Sequence, residues 1–209
     1  MIYLSGAIRE KFGAYPEIGW MATPDMGNRL PAGPFWAFDN ACFAHPGEFD
    51  WDRWERALRR RIAEAGADRL LFVVAPDVPF DAEGTVKRFA QYRDRLKALG
   101  LPLAFVTQDG MGTEDIPWGD VDAVFVGGST AWKTGHESAA IVTSARERGK
   151  WVHMGRVNSL KRLRVAVSMG CHSADGTFLK YGPDTNLARL LGWLRSIATE
   201  PPMRLETVA

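Results

Sequence analysis

Val165-Ala166-Val167-Ser168-Met169-Gly170-Cys171-His172-Ser173-Ala174-Asp175-Gly176-Thr177 reads as the end of a helix, a glycine stop, a very short strand at 171–174 and an acid at the strand's exit. Asp175-Gly176 is a poor continuation of a strand and a good tight turn that presents a carboxylate. A helix followed by a strand is one unit of an alternating chain. In such chains the exits of parallel strands are where ligands bind. Taken alone, the same residues also describe a plain Asx-turn, so the rest of the chain decides their meaning.

Working outward, the same unit recurs. Asn158 to Met169 is a helical stretch with Asn158 as its cap and Gly170 as its stop, and Trp151 to Met154 is a strand before it, ending at Gly155-Arg156. Further upstream, a helix over 135–148 is stopped by Gly149, and the strand Val121 to Val126 ends in Gly127-Gly128-Ser129-Thr130. The strand Pro102 to Thr107 ends at Gln108-Asp109-Gly110, a helix over 84–99 is stopped by Gly100, and the strand Arg69 to Ala75 ends at Pro76-Asp77. Trp51, Trp54, Leu58, Ile62 and Ala65 recur at helical spacing between a cap at Asp50 and a stop at Gly66, with Arg53, Arg56, Arg59, Arg60 and Arg61 read as the solvent face. Residues 40–50 are a loop, Phe35-Trp36-Ala37-Phe38 is a strand ending at Asp39, residues 9–34 are a long Gly- and Pro-rich loop, and Ile2-Tyr3-Leu4 is the first strand. Downstream, a last helix covers 184–198 and residues 200–209 read as a frayed tail.

The apolar runs are continuous rather than alternating, which is the pattern of a parallel sheet covered by helices. Seven strands are visible, and an eighth in the 15–25 region would close a small TIM-like (β/α)8 barrel, irregular or incomplete, formed by residues 1–209 as one domain. An open doubly wound sheet has the same local pattern.

Composition bounds the function. With 46% hydrophobic and 24% charged residues the chain is an ordinary globular protein. A formal net charge of +1 means that any contact with nucleic acid must come from a local basic patch. Cys42 and Cys171 are the only cysteines, which excludes a disulfide scaffold and a zinc site of three or four cysteines. Met1 to Ile8 is apolar but too short for a span and lacks a basic leader, so no membrane partner is expected and the cytoplasm is the default (a host's cytoplasm if the gene is carried by a phage). Of the eight Trp residues, Trp20, Trp36, Trp118 and Trp132 sit beside loops, where ordinary packing is the first reading and the wall of a pocket the second.

The strand exits carry Asp39, Asp77, Gln108, Gly127-Gly128, Met154-Gly155 and Asp175. Parallel strands point their exits at one common mouth. Three carboxylates and a carboxamide converging there suit a planar, polar ligand such as guanine: two acids for its N1–H and exocyclic amine, Gln108 for its carbonyl or N7 edge. Gly127 and Gly128 leave room for backbone N–H groups at Gly128 and Ser129 to approach the base, and Trp36, Phe43 and Met154 are candidates to stack on it.

This ordered set resembles the tRNA-guanine transglycosylase (queuine tRNA-ribosyltransferase) family and its DNA-modifying relatives, which exchange guanine for a 7-deazaguanine. Asp39-Asn40-Ala41-Cys42-Phe43 resembles the family's Asp-Ser-Gly-Gly-Tyr, Ala75-Pro76-Asp77 the stretch whose Asp reads the guanine edge, and Val106-Thr107-Gln108-Asp109-Gly110 its Val-Gln-Gly. Phe125-Val126-Gly127-Gly128-Ser129 resembles Ile-Gly-Gly-Leu, Val152-His153-Met154-Gly155 resembles Leu-Met-Gly, and Gly170 to Asp175 resembles Gly-x-Asp-x-Phe-Asp, whose last Asp is the nucleophile. The resemblance covers roughly residues 35–177. It implies Asp175 as nucleophile, Asp39 as general acid–base, Asp77, Gln108, Gly127, Gly128, Ser129, Phe43, Met154 and Gly155 around the base, and no metal or organic cofactor for the chemistry. The departures are the missing zinc site of three Cys and one His, Phe43 in place of Tyr, Ser129 in place of Leu, His172 in place of the first Asp of the nucleophile motif, and a basic 158–164 stretch. These place DNA ahead of tRNA as the polymer. Arg156, Lys161, Arg162 and Arg164 are the residues for its phosphates, a free 7-deazaguanine is the second substrate, and a homodimer or partner protein is a further expectation. Two other classes compete. One is a metal-dependent hydrolase built on His45, His153, His172 and an Asp, although no His-x-His or His-x-x-x-His pair occurs; His153 and His172 read first as packed or hydrogen-bonded side chains. The other is a non-catalytic nucleobase- or nucleic-acid-binding module.

Overall fold

The computed structural model describes residues 1–199. Eight parallel strands pair in sequence order and close into a barrel: β1 (Ile2–Ser5), β2 (Ile18–Ala22), β3 (Trp36–Phe38), β4 (Leu70–Val74), β5 (Leu103–Thr107), β6 (Ala123–Val126), β7 (Trp151–Met154) and β8 (Ser173–Gly176). β8 closes on β1 with Leu4 opposite Asp175 and Ser5 opposite Gly176. The expected eighth strand is therefore β2, inside the stretch read as a loop over 9–34, which also holds a 3-10 turn at Glu10–Ala14. A glycine in the middle of β2 weakened its strand signal. Its place is steric, because a Cβ on Gly19 would lie 2.5 Å from the Phe35 carbonyl oxygen and 2.7 Å from Leu4 Cδ2.

The helices are α1 (Trp51–Ala65), α2 (Ala82–Ala98), α3 (Thr130–Lys133), α4 (His136–Glu147), α5 (Leu160–Met169) and α6 (Pro183–Thr199). They follow β3, β4, β6, β7 and β8. The β1–β2 and β5–β6 connections carry only 3-10 turns, and the β2–β3 connection carries no helix. Omitting three helices is how an eight-stranded barrel fits a chain near the lower end of the usual length for this fold.

Local signals explain most boundaries. Asp50 Oδ1 accepts the Arg53 N–H at 2.9 Å at the start of α1, and Gly66, with φ 81°, ends it. Asp81 caps α2 by accepting the Gly84 N–H at 2.9 Å, so this helix starts earlier than its periodicity suggests. The cap of α5 is Ser159, which accepts the Arg162 N–H, and not Asn158, whose Oδ1 accepts the Thr177 N–H at 2.7 Å across the sheet. Arg61 also departs from the expected solvent face. It lies on the same helical stripe as Trp54, Leu58 and Ala65, is 1% exposed, and donates to the Asn28 carbonyl, the Met26 carbonyl and Glu64, pinning the β2–β3 loop. Trp20 and Trp36 are fully buried packing residues. The expected tail at 200–209 lies outside the described residues.

Two apolar layers hold the fold. Leu4, Met21, Ala37, Phe72, Val74, Ala104, Val106 and Ala123 fill the barrel interior, and a larger cluster, including Val73, Val124, Val152, Met154 and Leu163, fills the space between strands and helices. The alternation along β7 sends Trp151 and His153 inward and Val152 and Met154 outward. No helix among the described residues is long and apolar enough to cross a membrane.

Candidate active site

A cavity of about 350 Å³ opens at the carboxyl ends of the strands, a size within the usual range for small-molecule sites. Asp39, Asp77, Gln108, Gly127, Gly128, Phe43, Arg156 and Asp175 all line it, as do Thr23, Asp25, Asn40, Ala41, Phe80, Val106 and Phe125. The strand-exit pattern thus converges on one mouth.

Asp175 sits at the end of β8, 21% exposed. Its Oδ1 faces His153 Nε2 at 3.1 Å and accepts the Arg156 backbone N–H at 3.2 Å. Among the described residues Oδ2 has no partner. The 155–157 segment wraps this side chain, with the Val157 N–H donating to the Asp175 carbonyl. Gly155 is required by space, because a Cβ there would stand 2.6 Å from Phe125 Cε1 and 3.5 Å from Asp175 Oδ1. The buried Lys133 donates to the Gly155 carbonyl and fixes the same segment; burial, with the nearby Arg156 and Arg162 charges, pulls its ammonium down to about 8.

Asp39 follows β3, where the pairing with β4 slips register between Trp36 and Phe38, an irregularity of the kind that re-aims a strand end beside a site. Burial, with the like charges of Asp175 and Asp77, pushes its carboxyl up to about 7. Asp77 is buried and accepts Asn40 Nδ2 at 2.8 Å on Oδ1 and Gln108 Nε2 at 2.7 Å on Oδ2. Burial raises its pKa, and these two donors work against the rise. Gln108 Oε1 accepts the Phe80 N–H at 2.9 Å. Gln108 is therefore part of a buried amide–carboxylate frame, and each Asp77 oxygen keeps a lone pair for a further donor.

The rim is aromatic and strained. Phe43 and Phe80 are 59% and 54% exposed, meet edge to face at 6.0 Å, and the Arg156 guanidinium lies 4.9 Å and 5.6 Å from their ring centres. Ala41, Phe80 and Arg156 have φ of 62°, 67° and 59° and are the non-glycine residues with positive φ among the described residues; all three line the cavity.

Several expected contacts do not form. Met154 is fully buried against the helices, on the outward side of β7, and cannot stack on a base. The Ser129 N–H is taken by Asp109 Oδ1 and its hydroxyl caps α3, so it is not available to a ligand. Gly155 acts by clearance rather than contact. Arg156 donates to the Gly128 carbonyl and covers the aromatic rim, instead of standing free for a phosphate. Gly128, with φ 69°, holds that carbonyl in place. Lys161, Arg162 and Arg164 lie on α5 outside the cavity lining; Arg162 donates to the Arg156 carbonyl at 3.4 Å and Lys161 is exposed. Trp36, Trp118 and Trp132 do not wall the cavity.

The histidines do not assemble a metal site. His45 pairs with Asp25 at 2.6 Å on the rim, His153 is inside the barrel, and His172 stacks on Trp151 at 4.7 Å and receives the Val152 N–H. Among the described residues no group of three or more His, Cys, Asp or Glu is arranged to hold a metal. Burial pushes the thiols of Cys42 and Cys171 up to about 12, which disfavours the reactive thiolate at both. Sequence reasoning missed Asn40, Asp25 and Phe80. Asn40 alone carried a signal, as a polar residue directly after the exit acid.

The chain matches no protein-family profile and no curated protein sequence. Solved structures with a similar course of the chain include the BexX/CysO complex of Amycolatopsis orientalis, at 16% identity and a TM-score of 0.48 over 84% of this chain and 73% of that one. The YdjI aldolase from Escherichia coli is similar at 11% identity and a TM-score of 0.48 over 94% and 84% of the two chains. A structure described as native KDPGal is similar at 12% identity and a TM-score of 0.44 over 95% of each. At such identities and scores no activity carries over from these proteins.

Proposed function

We propose that the chain is a base-exchanging transglycosylase that replaces guanine in DNA by a 7-deazaguanine through a covalent Asp175–glycosyl intermediate. The observation that carries the reading is the pairing of two carboxyl groups in one cavity. Asp175 has an unpartnered oxygen, and Asp39 is pushed up to about 7, the range in which one group can give and take a proton at neutral pH.

In this reading Asp175 Oδ2 attacks C1′ of the target nucleotide, the C1′–N9 bond breaks with its electron pair going to the base, and Asp39 gives its proton to the departing guanine. The incoming 7-deazaguanine returns a proton from its N9 to Asp39, attacks C1′ and releases the Asp175 carboxylate, so protons and electrons balance. Asp77, held by Asn40 and Gln108, accepts from N1–H and the exocyclic amine. The Phe43–Phe80 rim under Arg156 offers faces for a base taken out of the stack. The basic α5 flank, with Lys161 exposed, supports a polymer substrate.

The test is guanine exchange. The protein is incubated with DNA or tRNA carrying radiolabelled guanine and with 7-cyano-7-deazaguanine. Release from DNA that is abolished in Asp175→Asn and Asp39→Asn supports the reading. Release from tRNA alone keeps the chemistry and overturns the polymer. No release from either by folded protein overturns the function.

A further inference from the structure

Beneath the cavity floor a chain of polar side chains runs through the barrel interior: Trp151 Nε1 donates to Ser173 Oγ at 2.9 Å, Ser173 Oγ meets His153 Nδ1 at 2.8 Å, and His153 Nε2 meets Asp175 Oδ1 at 3.1 Å. His153 and Ser173 are 0% exposed. Nothing in the exchange chemistry uses these three residues, yet polar groups buried this deeply are costly unless each is satisfied.

Hydrogen-bond accounting fixes the direction of the chain. An indole nitrogen donates and cannot accept. Ser173 has two partners, Trp151 and His153, so the only acceptor for its hydroxyl proton is His153 Nδ1. With Nδ1 accepting, the neutral ring carries its proton on Nε2 and donates it to Asp175 Oδ1. Among the described residues the imidazole has the Phe72 and Phe125 rings at 5.2 Å and 4.6 Å and Ser173 and Asp175 as hydrogen-bond partners, and of these Asp175 is the titratable one. Asp175 in turn feels the charges of Asp39 and Lys133 and the Tyr3 phenol.

We infer that Trp151 and Ser173 lock His153 as the neutral Nε2–H tautomer, and that His153 is the positioning residue that, with the Arg156 N–H, ties Asp175 Oδ1 and leaves Oδ2 to face the substrate. The link to catalysis rests on Asp175 being the nucleophile; the tautomer lock does not. In the covalent intermediate Oδ2 is bonded to C1′ and Oδ1 is the ester carbonyl oxygen. Two N–H donors on that oxygen stabilise the charge that returns when the carboxylate departs.

The experiment uses the full chain labelled with 15N-histidine; with four His residues, His153→Gln assigns the ring. Long-range 1H–15N correlation at pH 8 is expected to show the neutral His153 ring protonated on Nε2, with its Nδ1 resonance moving in Ser173→Ala and returning in Ser173→Thr. An Nδ1–H tautomer, or an Nδ1 resonance indifferent to Ser173→Ala, overturns the lock. In the exchange assay His153→Ala is expected to lower kcat on the order of 10- to 100-fold, the scale for loss of a partner that orients a reacting group, with KM little changed. His153→Gln keeps an N–H donor and is expected to recover part of kcat. A His153→Ala protein that is folded and exchanges at the wild-type rate overturns the positioning role. If the wild type shows the tautomer lock and no exchange, the transglycosylase reading fails and the lock stands.

Discussion

Asp39→Asn is expected to make the folded protein more stable while abolishing the proposed exchange, and the size of the gain follows from the site. The Asp39 carboxyl is held near 7 instead of 3.8, whereas the unfolded chain ionises it at the ordinary value. A folded-state pKa above the unfolded one means that the native protein binds the additional proton. The stability tied to that proton is fully present below the unfolded value and is lost as the pH rises through 7. Each pH unit between the two values costs about 1.4 kcal/mol, so ionising this group in the folded state costs on the order of 4 kcal/mol by pH 8. A carboxamide in its place cannot ionise and keeps an oxygen for the Asn40 N–H, which Asp39 Oδ1 accepts at 2.8 Å. Urea unfolding followed by tryptophan fluorescence at pH 5 and at pH 8 measures the effect. Between these two pH values the variant is expected to gain about 2–3 kcal/mol on the wild type, which is roughly 1 M in the difference of midpoints for a slope of 2–3 kcal/mol per M. Unfolding curves that shift in parallel for the two proteins would refute the placement of a strained, protonated acid at this position.

Three further outcomes are expected. Gly155→Ala places a Cβ 2.6 Å from Phe125 Cε1 and 3.5 Å from Asp175 Oδ1, so it should destabilise the protein by about 1–3 kcal/mol in the same urea assay and, under the proposed function, lower kcat by displacing Asp175. Under the proposed function Arg156→Ala and Arg156→Gly should both raise KM for the proposed polymer by uncovering Phe43, and the glycine variant should be the more stable by about 1 kcal/mol, because residue 156 has φ 59°. Cys42 and Cys171, with thiols pushed up to about 12, should resist alkylation by iodoacetamide at pH 8 in the folded protein and react once urea unfolds it.

The strand–helix alternation was legible because buried parallel strands are written as unbroken apolar runs, and Leu70 to Val74 or Leu103 to Thr107 can hardly be read otherwise. β2 was hidden because Gly19 interrupts its run, and the reason for that glycine is a carbonyl on the next strand. Asp39, Asp77 and Asp175 were legible because an acid at a strand exit is a local feature. Met154 and Ser129 were misread because exit position alone does not say which way a side chain or an N–H points. One residue along β7 separates the fully buried, outward Met154 from the inward His153. Arg61 was read as solvent face since an arginine is seldom buried, and only the packing of loop 23–35 on α1 supplies the carbonyls that its two terminal nitrogens bond.

The site also shows where this barrel stores its strain. Among the described residues, each of the three non-glycine positions with positive φ is held by a residue of the proposed machinery. Asn40 Oδ1 accepts the Cys42 N–H at 2.8 Å and so brackets Ala41, Gln108 Oε1 accepts the Phe80 N–H at 2.9 Å, and Asp175 Oδ1 accepts the Arg156 N–H at 3.2 Å. A left-handed backbone costs about 1–2 kcal/mol at such residues and persists only where its surroundings over-determine it. Asn40 and Gln108 are themselves held by Asp77. One buried carboxylate therefore organises both a hydrogen-bonding edge inside the cavity and the pose of Phe80 on its rim, while Asp175 does the same for Arg156. If the proposed function holds, reading a base edge and clamping its faces are coupled at this site, because Asp77 holds Gln108, which in turn holds Phe80. The strain is confined to the open end of a barrel whose interior below is filled by Leu4, Met21, Phe72 and Val106, so the apolar core carries the stability and the mouth is left free to be strained.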